Sequence, residues 1–320
     1  MKHLLATAAL ICAAQPALAN RVFVTNERSN DITVLDGESF EVIGTYPAGN
    51  RPRGITISPD GSELYVCASD DDLVRVFDPQ TMEELHTLPS GPDPELFVLH
   101  PSGNPLFIAN EDDNIVTVVD TKTHQLLAEI PVGVEPEGMG VSPDGSVVIN
   151  TSETTNMAHF IDTETYEITA NVLVDSRPRF AQYTADGSKL YVTSEIGGTV
   201  SVIDPSTQQI TKKISFDING VLPEAIQPVG ARVTSDGSKL FVALGPANRV
   251  AVIDATTDEV TDYLLVGQRV WQLAFSPDEK YLYTTNGNSN DVSIIDVAVN
   301  KVVRSVPVGQ QPWGVVVAPD

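Results

Sequence analysis

The sequence is short of cysteine, positive charge and tryptophan, and no apolar run is long enough to span a bilayer. Its two cysteines are Cys12 and Cys67. Lys and Arg number 19 against 43 Asp and Glu, a formal net charge of −24. Such a surface repels phosphate backbones and anionic lipid, which argues against nucleic-acid or membrane partners. There is no CxxCH for covalent haem, no GxSxG, no HExxH and no phosphate-cradling glycine loop. His86, His100, His124 and His159 fall at four different phases of the repeat described below, so they make no copper-holding ring.

Residues 1–19 read as a signal peptide, with Lys2 as the basic start, Leu4 to Ala14 as the apolar stretch and Ala17-Leu18-Ala19 as the cleavage site. Export to the periplasm is therefore expected, with residues 20–320 as the folded unit. Removing the leader would leave Cys67 alone, so stability must come from packing rather than disulfides.

What the chain does have is a repeat. An alternating apolar strand ending in Asp recurs as ITVLD, VRVFD, VTVVD, AHFID, VSVID, VAVID and VSIID. The final residues are Asp36, Asp78, Asp120, Asp162, Asp204, Asp254 and Asp296, spaced by 42 residues except for one interval of 50. Seven such units, each with four β-like runs, predict an all-β, seven-bladed β-propeller with four-stranded blades. Turns such as Pro59-Asp60-Gly61 and Pro143-Asp144-Gly145 punctuate the blades. There Pro presets φ and Gly accepts the left-handed position. A second strand begins at Arg21 and an unpaired first strand runs from Trp313 to Ala318. Pairing the two in one shared blade would close the ring and leave no open end. The long interval inserts eight residues between Phe216 and Val229, and Ile218, Val221, Leu222 and Ile226 make this loop unusually apolar. Docking of a partner and covering of the channel are both open for it.

The second strands read FVTN (23–26), YVCA (65–68), FIAN (107–110), YVTS (191–194) and YTTN (283–286). With the SPDG turns and VSVID-type strands, they resemble the YVTN β-propeller repeat family throughout residues 20–320. More narrowly, the chain is similar to an exported subgroup associated with pyrroloquinoline quinone (PQQ)-dependent alcohol catabolism. Its members are encoded beside quinoprotein dehydrogenases and c-type cytochromes. The resemblance leaves the biochemical role open; the expected role is a non-catalytic periplasmic scaffold that docks such a dehydrogenase or cytochrome, or a small ligand, at the channel mouth. Because propellers host many functions, the site itself has to be argued from residues.

In a propeller the innermost strands start at the rim of the central channel. In register with the repeated Asp, that start reads Trp313, Arg53, Glu95, Glu137, Arg179, Val229 and Trp271. Two residues earlier the row is Gln311, Arg51, Asp93, Glu135, Arg177, Gln227 and Arg269. Arg53, Glu95, Glu137, Arg179, Trp271 and Trp313 are the expected recognition residues, with the charges orienting a partner and the indoles supplying contact area. The same charges read equally well as inter-blade ion pairs, and the indoles as a plug supporting closure. The loop after the second strand should reach this face too. That could bring Glu95, Glu111, Glu137 and Glu153 together as oxygen ligands for Ca²⁺ or another hard cation, although no Ca²⁺-loop spacing is present. The enzymatic alternative is a hydrolase similar to propeller lactonases, with Glu95, Glu137 and His159 as candidates.

Overall fold

The computed structural model describes residues 20–319, so the expected signal peptide lies outside the described residues. Twenty-eight strands form seven antiparallel sheets of four, the seven-bladed ring the repeat predicts. In six sheets the strands follow chain order from the channel outward. The seventh joins Pro312–Val317 to Arg21–Asn26, Asp31–Asp36 and Val42–Pro47. Val22, Phe23 and Val24 pair there with Val317, Val316 and Val315. The apolar faces of neighbouring sheets make the core. Val22 and Val24 of the closure blade, for example, pack with Tyr283, Val292 and Ile294 of its neighbour.

The repeated Asp has a local job in every blade. Asp36 Oδ1 accepts the N–H groups of Glu38 and Ser39 at 3.1 and 2.8 Å. Paired bonds of this kind recur at Asp78, Asp120, Asp162, Asp204, Asp254 and Asp296. Each carboxylate thereby closes the turn between the third and fourth strands. The other hairpin uses a second Asp, which Ser58 Oγ and Ser62 N–H reach at Asp60 from 2.6 and 3.1 Å. At His100 the imidazole Nδ1 substitutes, accepting Ser102 N–H at 3.1 Å.

The YVTN-like phrase is also explained by geometry. Its Thr hydroxyl crosses to the next blade's inner strand: Thr25 to Arg53 O at 2.7 Å, Thr193 to Val229 O at 2.7 Å and Thr285 to Trp313 O at 2.6 Å. Blades approach so closely that a Cβ on Gly54 would lie 2.5 Å from the Glu95 carbonyl oxygen. Cys67 is fully buried between blades.

The eight-residue insertion packs down rather than standing free. Ile218 and Ile226 are buried in the core, and of its four large apolar side chains only Leu222 is exposed. The loop is thus anchored on the core by two of its apolar side chains. Ile226→Ala is expected to cost about 2–4 kcal/mol, whereas Leu222→Ser should stay within about 0.5 kcal/mol of wild type. Urea unfolding of both variants checks this. No helix among the described residues is long and apolar enough to cross a membrane.

Candidate functional site

Five of the seven inner strands enter the channel rim through the same construction. Pro52, Pro94, Pro136, Pro178 and Pro312 open their strands, where the missing N–H costs no ladder bond. A bulge follows at once, with register shifts between Pro52 and Ile55, Pro94 and Phe97, and Pro136 and Met139. Bulges re-aim side chains, and the residues inside them are Arg53, Glu95 and Glu137.

The residue before each Pro is strained. Arg51, Asp93, Glu135, Arg177 and Gln311 all have φ between 49° and 58°, as does Arg269 in the corresponding place. Side chains rarely tolerate this region, and clusters of such residues mark sites held in place by their surroundings. Here the restraint comes from the previous blade. Asn30 Oδ1 accepts Arg51 N–H at 2.9 Å, Asn156 Oδ1 accepts Arg177 N–H at 3.1 Å, and Asn248 Oδ1 accepts Arg269 N–H at 2.9 Å. The carbonyls of the strained residues receive a third row, the residues that follow the second strands: Glu111 N–H on Asp93 O, Glu153 N–H on Glu135 O and Glu195 N–H on Arg177 O, at 2.8–3.0 Å. Three rows of charged side chains are thereby pinned on one rim.

They meet as an alternating network. Arg53 contacts Glu95 at 2.8 Å, Glu27 at 3.4 Å and Glu137 at 3.7 Å. Arg51 reaches Asp93 at 2.5 Å and Glu95 at 2.9 Å. Arg179 holds Glu137 at 2.9 Å and also pairs with Glu153. Arg177 bridges Glu153 at 2.9 Å and Glu195 at 3.1 Å, and Arg269 holds Glu195 at 2.7 Å. Burial opposes the charge on Arg53 and Arg179, yet the surrounding carboxylates raise both above the ordinary arginine value. The ion-pair reading of these residues is therefore fully visible.

Above the network is a cavity of about 310 Å³. Arg53, Glu137, Arg179 and Trp271 line it, as do Glu111 and Glu195 and the outer arginines Arg51, Arg177 and Arg269. Two of the six expected recognition residues sit elsewhere. Glu95 is fully buried and acts through Arg51 and Arg53. Trp313 is also fully buried and faces the lower channel, with Arg53 stacked on it at 4.6 Å. Trp313 is thus a plug, while Trp271 is partly open, with Arg269 over its ring at 4.1 Å. The two indoles lie 6.4 Å apart.

The four glutamates considered for a cation are divided. Glu95 and Glu111 lie with Asp93, their oxygens within 4.8 Å of one another. Glu137 and Glu153 are instead held by arginines. Because Asp93 and Glu95 already face Arg51 and Arg53, a divalent cation would compete with two guanidinium charges, and this donor set fits one poorly. His159 does not reach the mouth. It is buried within its blade, with Nε2 accepting Gly133 N–H at 3.0 Å and Nδ1 at Asn171 Oδ1, and burial lowers its pKa.

Glu111 is the exception among the pocket carboxylates, having no ion pair among the described residues. Burial, reinforced by Glu137 and Asp93, raises its pKa above 4.5. A raised carboxyl stabilises the fold fully below its unfolded value and loses that contribution as pH climbs through the folded one. Glu111→Gln should therefore match wild type in Tm near pH 4.5 and exceed it increasingly toward pH 8, which thermal melts across that range would read.

A family model described as "Lactonase, 7-bladed beta-propeller" matches residues 17–130 and 158–311. The chain belongs to this lactonase family of seven-bladed propellers. None of the curated proteins compared with it matches in sequence. Among solved structures, hydrazine synthase of Kuenenia stuttgartiensis is similar at 22% identity, with 88% of this chain and 93% of that chain covered and a TM-score of 0.81. A putative 6-phosphogluconolactonase from Bacteroides fragilis NCTC 9343 gives 20%, 92%, 96% and 0.77 for the same quantities. Dihydro-heme d1 dehydrogenase NirN, in complex with DHE, gives 16%, 96%, 77% and 0.72. At these identities the likenesses show the fold alone. Lactonase-family membership does not choose among the mouth residues, so the chemistry rests on their geometry.

Proposed function

We propose that this protein is a non-catalytic periplasmic recognition module whose channel mouth receives an anionic group of a small ligand or of a protein partner. The observation that carries this is the composition of the mouth cavity. It is lined by five arginines against three glutamates, in a molecule whose net charge is −24. Fixed rim charges need little reorganisation on binding, and Trp271 offers a flat apolar contact beside them. The YVTN-type strands and the leader-like N-terminus support a setting in PQQ-dependent alcohol oxidation. A quinoprotein dehydrogenase or c-type cytochrome would be the protein partner. Purified dehydrogenase and cytochrome from the same periplasm should bind the wild type in calorimetric titrations. Binding should weaken at least about tenfold in Arg177→Gln/Trp271→Ala. Equal affinities for wild type and variant would remove the mouth from the function.

Family membership and unpaired Glu111 favour a second reading, a lactone hydrolase. Glu111 would take a proton from water as its oxygen attacks the lactone carbonyl. The ring C–O bond would break and that proton would pass to the leaving alkoxide, with arginines stabilising the oxyanion. Turnover of 6-phosphogluconolactone, abolished in Glu111→Gln, would favour this reading over the scaffold.

A further inference from the structure

Below the plugged mouth the channel opens again toward the opposite face, and its chemistry is different. This second cavity, also about 310 Å³, is bounded by the far ends of the inner strands, and among the described residues no Asp or Glu lines it. Its walls divide about evenly between polar and apolar surface, and Leu96, Met139 and Phe180 make up part of the apolar share. One full charge projects into it, that of Arg232.

Arg232 has no carboxylate within ion-pair distance among the described residues. Its Nη1 donates to the neighbouring Ala231 carbonyl at 2.8 Å, and its guanidinium stacks on Phe180 at 4.8 Å. Burial lowers its pKa to about 10, with no nearby acid to offset that cost, so it still carries its charge at neutral pH. Every arginine of the mouth network has an acidic partner; this one does not. Two further residues of the same lining carry buried donors. Gln272 is 4% exposed, and its Nε2 is buried without a hydrogen-bond partner. Trp313 is fully buried, and its Nε1 is likewise without one. Buried donors left unmade are costly, and a native cavity that collects two of them beside an uncompensated charge is built for an acceptor.

We propose that the lower channel binds a small organic carboxylate with an apolar body, the carboxylate taken by Arg232 and the buried donors of Gln272 and Trp313, and the body seated against Leu96, Met139 and Phe180. A carboxylate matches the planar fork of arginine and its apolar remainder matches the apolar share of the walls, whereas a fully hydrated inorganic anion would leave that share unused. The site is independent of the mouth: Trp313 separates the two cavities, and Arg53 stacks on that same indole.

Benzoate and hexanoate, with benzyl alcohol, hexanol and inorganic phosphate as controls, test this by thermal shift and calorimetry on the purified protein. Both carboxylates should raise the Tm of the wild type, while the alcohols and phosphate should not. Arg232→Met should bind the carboxylates at least about tenfold more weakly, and its ligand-free Tm should equal or exceed that of wild type, because an unpaired, partly buried charge is gone. Gln272→Leu keeps the arginine and provides a second reading should Arg232→Met fail to fold; it too should weaken binding. Arg177→Gln/Trp271→Ala should bind like wild type. The proposal is overturned if neither carboxylate binds, if the alcohols or phosphate bind as well, or if binding survives loss of Arg232. Loss of binding only in the mouth variant would also overturn it, by placing the anion above the plug.

Discussion

Replacing Glu137 with alanine is expected to destabilise the protein by about 3–5 kcal/mol, on the order of ten degrees in Tm. Glu137 is 1% exposed and stands between Arg179 at 2.9 Å and Arg53 at 3.7 Å. Those guanidiniums are themselves 3% and 8% exposed, and each already works against the other's charge. Glu95 and Glu153 would still hold one arginine each, but the carboxylate common to both would be missing. Glu137→Gln keeps the shape and removes only the charge, so it should lie between wild type and Glu137→Ala. Chemical denaturation of all three measures the series. Losses below about 1 kcal/mol for both variants would show that the rim tolerates an unbalanced pair of arginines and that its alternation of sign is incidental.

The second large effect concerns the ring. A chain ended at Val308 loses Pro312–Val317, the inner strand of the closure blade. That removes Trp313, the largest fully buried side chain, and the partner strand of Arg21–Asn26. Truncating one buried Trp to Ala costs about 3–5 kcal/mol. A typical domain has only about 5–15 kcal/mol in total. With the strand's ladder and its contacts to both neighbouring blades gone as well, the shortened chain should not fold cooperatively. Circular dichroism and size-exclusion chromatography would report this, and a synthetic peptide of residues 309–319 added in excess should restore a folded species. A shortened chain that melts like wild type would mean that six complete blades hold the circle without the seventh.

Why some of this was legible in the sequence follows from what each residue does. The blades were legible because their turns are capped by the same Asp every time, and a cap works only at a fixed place in a repeat. The charged rim was legible for a similar reason, since register from Asp36 or Asp120 places Arg53 and Glu137 at equivalent starts. Depth was not. Trp271 and Trp313 share that register, yet one opens on the mouth and the other forms its floor, because the tilt of each ring depends on neighbours distant in sequence. The support row escaped notice although its signal is present. Asn30, Asp72, Asn114, Asn156, Asn248 and Asn290 each lie six residues before a repeated Asp, and that period was available to find them. Arg51, Arg177 and Arg269 sit in a row that the register exposes, but only their strained backbone shows how firmly they are held. Arg232 gave no sign at all, because what distinguishes it is the lack of an acid nearby in space.

The capped turns also bear on how the molecule meets acid. Asp60, Asp144, Asp186 and Asp236 receive hydroxyl and backbone hydrogen bonds, and Asp120 receives backbone and amide ones, which lower their pKa values from 3.8 to about 2. Carboxylates depressed in this way stabilise the fold above their unfolded value and give up that contribution only as pH falls through the folded one. Between about pH 4 and pH 2, where free aspartates lose their charge, these corners remain ionised and bonded. A ring that concentrates so many depressed carboxylates in its hairpins should keep those corners closed until late in acidification.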